Sequence, residues 1–372
     1  MVRALSLLIK PASSLCNLNC KYCFYKDVSK YQKEKSKGIM SFDVMQTLIR
    51  KSLNEVEDGG YIHYAFQGGE PTLAGLKYFQ SFCDEVAKYK KENQQISYSI
   101  QTNGILLDDK WCTFLKNENF LVGVSLDGYE SNTNRFRQSD KNKGIYYKII
   151  KGVELLNKYK IDFNILTVVT NSLSKHPQAL YNYLKEHGFS YVQFIPCLPP
   201  LNEIQSPYSL KAHDFAHFYK TIYDLWLKDY TDGYYTSISL FDNLIAMLAG
   251  FPSQQCGISG QCHAQLVVES NGNVYPCDFY VLDQYECGNI KENTFLEILK
   301  HVNLNLFLNE KKQYQPICEK CRFYNLCHGG CKRQNVVYFD HEYCGYQDFL
   351  NHAYPTVFEI ANQIKKEKSC FM

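Results

Sequence analysis

Short apolar stretches alternate with amphipathic ones over the first two-thirds of the chain. The apolar stretches are rich in Ile, Val, Tyr and Phe, and most are bounded by Gly, Asn or Pro, which is typical of β-strands. This pattern predicts six strands, at residues 5–9, 61–66, 96–101, 121–126, 163–170 and 191–196.

Between these strands, apolar residues recur with the 3.6-residue period of an α-helix. Ser41 is a possible cap for a helix whose apolar face is Met45, Leu48, Ile49, Leu53 and Val56. Thr72 precedes a second such face, formed by Leu73, Leu76, Phe79, Cys83 and Val86. Residues 211–228 are long enough for another helix.

Six strand–helix repeats with right-handed crossovers predict an α/β fold, in which a parallel sheet curls into a partial (β/α)6 barrel of the TIM type. In such barrels the chemistry lies at the carboxyl ends of the strands. Four polar clusters follow or end the first four strands: a three-cysteine loop, Gln67-Gly68-Gly69-Glu70-Pro71, Gln101-Thr102-Asn103-Gly104 and Ser125-Leu126-Asp127-Gly128. We therefore predict a site at this rim.

The alternation ends near residue 240, where cysteines and Gly or Asn turns become frequent. Residues 265–269 and 274–276, around Asn271-Gly272, predict a β-hairpin. We predict a barrel over 1–239, a cysteine-rich iron–sulfur domain over 240–345, and a C-terminal helix and tail over 346–372. The expected apolar anchors of the final helix are Phe349, Tyr354, Phe358 and Ile360.

Composition argues against two classes of partner. Forty basic and 38 acidic residues among 372 give a formal net charge of +2, which favours neither nucleic acid nor an anionic membrane. The apolar stretch at 4–9 is too short for a signal peptide, and no stretch reaches transmembrane length. We expect a cytoplasmic protein whose 16 cysteines serve mainly metal binding rather than disulfides.

Cys16, Cys20 and Cys23 form a C-x3-C-x2-C motif. Three thiolates can hold three irons of a [4Fe–4S] cluster and leave the fourth iron open for chemistry. A structural zinc site is the alternative. However, residues 24–60 contain no further Cys or His, and His63 lies within a predicted strand.

Eight further cysteines have ligand-like spacing in the later part of the chain: Cys256, Cys262, Cys277, Cys318, Cys321, Cys327, Cys331 and Cys344. Eight thiolates are enough for two four-thiolate clusters, although two zinc ions could use the same ligands. We favour iron because the first motif indicates a redox site.

Gly68 and Gly69 carry no side chain, so we expect their backbone groups to be accessible to a ligand. Glu70 could accept a hydrogen bond from an ammonium group. A tight turn into a helix would explain the same Gly-Gly-Glu-Pro sequence.

Taken together, the cysteine loop and the three rim sequences resemble the radical S-adenosylmethionine (SAM) core of anaerobic sulfatase-maturating enzymes. The second cysteine group resembles the SPASM domain, a twin-cluster extension of radical enzymes that act on peptides and proteins. The resemblance implies that SAM binds the open iron and is contacted by Tyr22, Gly69, Ser125, Arg137 and Leu198. Arg135 lies close to Arg137, and each arginine could instead be a solvated loop charge.

The resemblance also implies three [4Fe–4S] clusters with interleaved ligation in the SPASM region. The inner auxiliary cluster would be held by Cys256, Cys262, Cys277 and Cys331. The outer auxiliary cluster would be held by Cys318, Cys321, Cys327 and Cys344. Spacing alone would have grouped the four consecutive cysteines from 318 to 331.

The implied activity is oxidation of a Cys or Ser to Cα-formylglycine, in a Cys-x-Pro-x-Arg type motif of a sulfatase polypeptide. A small protein such as flavodoxin or ferredoxin would donate electrons. Asp278 occupies the position of the family's proposed base, although an Asp at a hairpin end often bonds backbone amides instead. Tyr25 and Gln67 are further candidates close to the substrate.

Two other functions stay open at this point. A radical SAM maturase that forms a thioether or crosslink in a ribosomal peptide would share the core and the clusters, but the first strand begins by Leu5 and leaves no obvious N-terminal peptide-binding domain. A non-catalytic electron carrier or zinc scaffold would need neither an open iron nor the Gly-Gly-Glu-Pro loop. The choice between Cys and Ser as target is not encoded in any recognisable motif.

Overall fold

The computed structural model describes residues 1–139, 144–310 and 315–369. Packing divides the chain into two compact units. Unit 1 comprises Met1–Ser125, Thr133–Phe163 and His263–Glu310, and unit 2 comprises Leu126–Asn132, Asn164–Cys262 and Lys311–Met372. Both units are discontinuous in sequence. The domain bounds 1–239, 240–345 and 346–372 follow sequence pattern and stay a prediction.

The described residues form eleven strands. They are β1 Val2–Ile9, β2 Val56–Phe66, β3 Gln95–Thr102, β4 Phe120–Ser125, β5 Phe163–Val169, β6 Tyr191–Pro196, β7 Ser237–Ile238, β8 Val267–Val268, β9 Val274–Tyr275, β10 Phe339–Asp340 and β11 Tyr343–Cys344. The first six correspond to the six predicted strands, and β8 with β9 is the predicted hairpin, so these predictions are confirmed.

The same residues form fourteen α-helices. They are α1 Phe24–Val28, α2 Phe42–Glu55, α3 Leu76–Tyr89, α4 Asp109–Asn117, α5 Glu130–Phe136, α6 Tyr146–Lys158, α7 Pro177–Glu186, α8 Ala212–Thr231, α9 Ser239–Leu248, α10 Phe295–Ile298, α11 Val302–Asn309, α12 Pro316–Glu319, α13 Tyr324–Cys327 and α14 Gly345–Ser369. Within the described ranges, no helix is both long enough and apolar enough to cross a membrane.

Parallel pairing aligns the carboxyl ends of the strands in unit 1. The order is β4-β3-β2-β1, and β8 then pairs with β1 in parallel and with β9 in antiparallel orientation. The register places Ile9 opposite Phe66 and Thr102 opposite Val124. The loops that follow these residues therefore start at one edge of the sheet, as predicted. In unit 2, β5, β6 and β7 pair in parallel.

The start of α2 agrees with the sequence-based prediction, whereas the start of α3 differs from it. The Ser41 hydroxyl accepts a hydrogen bond from the Val44 N–H at 3.4 Å, so α2 has the predicted cap. The next helix was expected directly after Thr72, but α3 begins only at Leu76. Pro71–Ala74 forms a separate 3₁₀ turn, and Gly75 has a φ of 85°, which no α-helical residue adopts.

The C-terminal helix α14 packs on α8 and α9 in unit 2. Phe349 and Ile360 are buried anchors as predicted, and Tyr354 is half-buried. The prediction for Phe358 is wrong, because its side chain is 40% exposed while Val357 is 2% exposed. Val357 follows Phe349 at two helical turns, so it occupies the buried stripe and Phe358 is rotated away from it.

Candidate functional site

Backbone hydrogen bonds join the cysteine loop to the loop after β2. The Gln67 N–H donates to the Ile9 carbonyl at 2.9 Å, the Gly69 N–H to that of Ser13 at 2.9 Å, and the Glu70 N–H to that of Leu15 at 2.8 Å. These bonds hold the two rim segments side by side at the carboxyl edge of the unit 1 sheet.

Glu70 joins the loop after β2 to the end of β3 through hydrogen bonds. It is 1% exposed. Its Oε1 accepts from the Thr72 N–H at 3.1 Å and from the hydroxyls of Thr72 and Thr102 at 2.6 and 2.7 Å. Its Oε2 accepts from the Asn103 N–H at 2.7 Å. Burial raises the pKa of Glu70 above its ordinary value, although these four donors oppose the shift. Both oxygens have partners within the protein, in place of the ammonium donor that we expected.

The three cysteines of the first motif lie in the loop between β1 and α1. The Cys20 and Cys23 side chains are within electrostatic reach of the Cys16 thiol. The Leu18 N–H also donates to the Cys16 sulfur at 3.4 Å. This donor set of three thiols fits three irons of a [4Fe–4S] cluster.

A zinc site at the same loop finds no support in the neighbouring side chains. His63 was the nearest candidate for a fourth ligand, but its ring nitrogens lie 2.7 Å from the Ser97 hydroxyl and 3.1 Å from that of Ser99. In the described part of the chain, no three Cys, His, Asp or Glu side chains converge closely enough to hold a single metal ion.

Arg137 and Tyr22, two of the predicted SAM contacts, lie together in unit 1. The Arg137 guanidinium is 5.6 Å from the centre of the Tyr22 ring. The Lys21 N–H donates to the Phe136 carbonyl at 3.0 Å, so the segment that carries Arg137 runs beside the cysteine loop. Arg137 is 6% exposed, whereas Arg135 is exposed to solvent. Arg137 is therefore not a solvated loop charge, and Arg135 is a solvent-exposed residue of α5.

Gly69 is a point of close backbone approach, because a Cβ atom there would overlap the Leu15 carbonyl. Its N–H is already bonded to Ser13, which leaves its carbonyl as the backbone group for a ligand.

Ser125 is buried at the end of β4. Leu198, the predicted adenine contact, belongs to unit 2 and follows β6 as a half-buried residue.

Asp278, Tyr25 and Gln67 meet in unit 1, although they were predicted from separate parts of the sequence. Asp278 is 6% exposed and begins a 3₁₀ turn just after β9. Its Oδ2 accepts from the Tyr25 hydroxyl at 2.6 Å and from the Gln67 amide at 3.4 Å. Its Oδ1 is buried and has no hydrogen-bond partner among the described residues. The carboxylate is thus held on one side only, and not by backbone amides.

The surroundings of Asp278 set its protonation. Burial raises the pKa of Asp278 to about 6, while the Lys10 charge and the Tyr25 hydrogen bond oppose the rise and the Glu269 charge adds to it. Burial and the nearby Asp278 charge raise the pKa of Tyr25 well above its ordinary value. The phenol therefore stays protonated and serves as a hydrogen-bond donor.

Lys10 and Glu269 form a buried ion pair that the sequence analysis missed. Their side chains are 4% and 1% exposed, and the Lys10 nitrogen lies 2.7 Å from Glu269 Oε1. The same nitrogen is 5.2 Å from the centre of the Tyr25 ring. One signal was available: Lys10 directly follows β1, at the edge where the other polar clusters begin.

The four cysteines predicted for the outer cluster line one cavity in unit 2. The cavity is lined by Cys318, Cys321, Cys327 and Cys344, together with mainly apolar and aromatic residues. A shared cavity with four sulfurs and little polar competition fits a four-thiolate cluster.

The four cysteines predicted for the inner cluster are divided between the units. Cys256, Cys262 and Cys331 belong to unit 2 and Cys277 to unit 1. Within unit 2, the Cys331 and Cys262 side chains are within electrostatic reach of the Cys256 thiol. In unit 1, Cys277 immediately precedes Asp278 in the turn after β9.

Comparison with known proteins identifies the fold and the family of the chain. Residues 11–184 match the Radical SAM superfamily, and residues 256–322 match an iron–sulfur cluster-binding domain called SPASM. A solved structure described as native anSMEcpe with bound AdoMet and Kp18Cys peptide superposes with a TM-score of 0.89 at 40% identity, covering 97% of this chain and 99% of the other. These matches confirm the predicted α/β fold, a partial radical SAM barrel with a C-terminal cysteine-rich region.

Relatives with assigned activities fall into two types. The cysteine-type anaerobic sulfatase-maturating enzyme of Clostridium novyi (strain NT) is 42% identical, over 91% of this chain and 90% of the relative. The serine-type enzyme of Bacteroides thetaiotaomicron is 29% identical, over 89% of this chain and 83% of the relative. The chain therefore belongs to the family of anaerobic sulfatase-maturating enzymes within the Radical SAM superfamily.

Proposed function

We propose that this enzyme oxidises a cysteine of a sulfatase polypeptide to Cα-formylglycine, within a Cys-x-Pro-x-Arg type motif. Identity to the cysteine-type relative is 42%, compared with 29% to the serine-type relative. Both figures cover most of the chain, so the difference favours cysteine over serine as the target residue.

The cofactors of this enzyme class are [4Fe–4S] clusters and SAM. We assign the radical SAM cluster to Cys16, Cys20 and Cys23, and SAM contacts to Tyr22, Gly69, Ser125, Arg137 and Leu198. The inner auxiliary cluster is assigned to Cys256, Cys262, Cys277 and Cys331, and the outer one to Cys318, Cys321, Cys327 and Cys344. When bound, these groups supply a 5′-deoxyadenosyl radical that removes a hydrogen atom from the substrate Cβ, and an acceptor for the second electron.

Asp278 takes the thiol proton of the substrate. The observation that supports this role most strongly is its buried Oδ1, which has no hydrogen-bond partner among the described residues while Oδ2 is held by Tyr25. A base needs a free lone pair directed at the proton and a pKa near the working pH. A pKa of about 6 leaves Asp278 ionised at neutral pH and still basic enough to accept a proton.

Tyr25 and Gln67 position that base. Both donate to Oδ2, which leaves the other oxygen to face the substrate thiol. Lys10 contributes a buried positive charge that favours the ionised carboxylate. Loss of the proton, a hydrogen atom and an electron gives a thioaldehyde, which water hydrolyses to the aldehyde with release of hydrogen sulfide.

The substrate is a peptide segment rather than a small molecule, as in the solved structure with a bound peptide. We further propose that a flavodoxin or ferredoxin supplies reducing electrons and that the enzyme works in the cytoplasm. A reducing compartment suits the 16 cysteines of the chain.

The test compares native enzyme with Asp278→Asn and with a control, Asp283→Asn, which alters an acidic residue close by in sequence. Each reconstituted protein receives SAM, reductant and a Cys-x-Pro-x-Arg peptide. We expect Asp278→Asn to release 5′-deoxyadenosine but to form at least 100-fold less aldehyde by mass spectrometry, a factor typical for loss of a general base. Aldehyde at the native rate from Asp278→Asn would refute the assigned base. A thioether or crosslink in place of aldehyde would identify a peptide maturase instead.

A further inference from the structure

The long helix α14 begins at the cavity of the outer cysteines. Cys344 directly precedes Gly345, the first residue of this 25-residue helix. The backbone N–H of Gln347 donates to the Cys344 sulfur at 3.4 Å. The first N–H groups of a helix lack partners within the helix and carry partial positive charge, so this end stabilises a thiolate.

Packing fixes the start of the helix. A Cβ atom on Gly345 would overlap the Ala212 carbonyl, so the helix can approach α8 this closely only with glycine here. In the first turn, Asp348 accepts from Lys220 at 2.8 Å and from the Tyr343 hydroxyl at 2.7 Å. The donors of this turn are therefore held in a defined direction.

Two side chains of the same turn also face the cavity. The Gln347 amide donates to the Cys321 sulfur at 3.2 Å. Tyr346 is 4% exposed, and its hydroxyl is buried without a hydrogen-bond partner among the described residues. Both residues line the cavity that contains the four cysteines. A buried hydroxyl without a partner is unfavourable, and a sulfur acceptor in the cavity would offset that cost.

We propose that Tyr346 and Gln347 tune the outer cluster, donating hydrogen bonds to its sulfur atoms and making the cluster easier to reduce. The inference rests on the proposed ligation by Cys318, Cys321, Cys327 and Cys344. A reduced cluster carries one more negative charge than an oxidised one, and hydrogen bonds to sulfur stabilise that charge. The two residues are positioning residues for electron transfer, because neither is a ligand of the cluster.

The test is a reduction titration of the auxiliary clusters, followed by electron paramagnetic resonance. The full-length protein carries Cys16→Ala, Cys20→Ala and Cys23→Ala, so that only auxiliary clusters contribute to the signal. Into this background we introduce Tyr346→Phe or Gln347→Leu. The control is Tyr223→Phe, the same substitution at a buried tyrosine of unit 2 whose hydroxyl donates to the Ala353 carbonyl at 3.3 Å.

We expect each variant to lower the midpoint potential of one cluster and to leave the other unchanged. The expected shift is a tenfold change in the ratio of oxidised to reduced cluster, which is about 59 mV for one electron. The control should show no shift, and iron content should match in all proteins. Tyr346→Phe removes one oxygen atom, so it remains informative if Gln347→Leu loads iron poorly.

Unchanged midpoints in fully loaded Tyr346→Phe would overturn the inference, and so would a rise in potential or equal shifts in both clusters. This outcome is separable from failure of the proposed reaction. If the native enzyme formed a thioether instead of an aldehyde, the proposed reaction would fail. The two variants would still show the shift in midpoint potential, because the titration contains no peptide.

Discussion

The surroundings of Asp278 in unit 1 and the outer-cysteine cavity in unit 2 both accommodate buried negative charge, but they stabilise it differently. Asp278 is bonded at one oxygen and left unpaired at the other. Cys321 and Cys344 receive N–H donors from a fixed helix end and its first turn. A carboxylate with one unpaired oxygen can accept a proton, whereas sulfurs that receive N–H donors suit a group that stores an electron. The contrast separates proton transfer from electron transfer.

The largest effect should come from the cysteine loop. Cys16→Ala leaves only two thiolates, which cannot hold three irons, so we expect no 5′-deoxyadenosine and no aldehyde above background. Cys112→Ala, at a buried cysteine of α4 outside every proposed ligand set, should keep both activities. Release of 5′-deoxyadenosine by Cys16→Ala would show that SAM cleavage does not depend on this motif.

Lys10→Met should produce the next largest effect. It removes the charge that holds the pKa of Asp278 down and leaves Glu269 buried and unpaired, which raises that pKa further. Asp278 would then be protonated at higher pH, so the acid limb of aldehyde formation should move to higher pH.

The double variant Lys10→Met/Glu269→Gln removes the opposing influences together and should move the limb less than Lys10→Met alone. Rates of aldehyde formation measured across pH in the three proteins test this order. If the acid limb of Lys10→Met lay at the same pH as that of native enzyme, the ion pair would have no influence on the pKa of Asp278.

Tyr25→Phe should have a smaller effect of the same sign. It removes one hydrogen bond to a charged group, worth about 1.5–3 kcal/mol, and so raises the pKa of Asp278. Aldehyde formation at neutral pH should fall about tenfold and recover partly at higher pH. Tyr31→Phe, at an exposed tyrosine, is the matched control. Equal losses at every pH would indicate a steric role for the ring instead.

The smallest effect should concern stability. Both carboxylate oxygens of Glu70 accept hydrogen bonds from buried donors. Glu70→Gln replaces one of these oxygens with an NH2 group, so two buried donors then face each other without an acceptor. We expect a loss of about 1–3 kcal/mol in the free energy of unfolding, measured by urea denaturation under anaerobic conditions. If the free energy of unfolding of the variant equalled that of native protein within error, the Glu70 hydrogen bonds between the rim loops would not contribute to stability.

The sequence was most informative where structure depends on neighbouring residues. The six barrel strands and the cap at Ser41 follow from local periodicity and were predicted. The start of α3 was missed because Gly75 and the turn before it interrupt a continuous apolar face. Phe358 was misplaced because apolar character alone does not specify which helix face is buried.

Contacts between distant residues could not be read from the chain. Tyr25 and Asp278 are separated by 253 positions, and only the folded strands bring them together. The pairing of Lys10 with Glu269 was likewise invisible, because a lysine after a strand is more commonly solvated. The family resemblance nominated Asp278, but the unpaired oxygen that makes it a credible base is a property of the fold.

The most direct test of the central claim is the ratio of aldehyde formed to 5′-deoxyadenosine released by native enzyme as pH is lowered. If Asp278 accepts the thiol proton, it must be ionised, so the ratio should fall as pH drops through about 6, its raised pKa. Radical formation needs no proton acceptor at this residue, so 5′-deoxyadenosine should continue to appear. A ratio that stays constant through this range would contradict the assignment of Asp278 as the base.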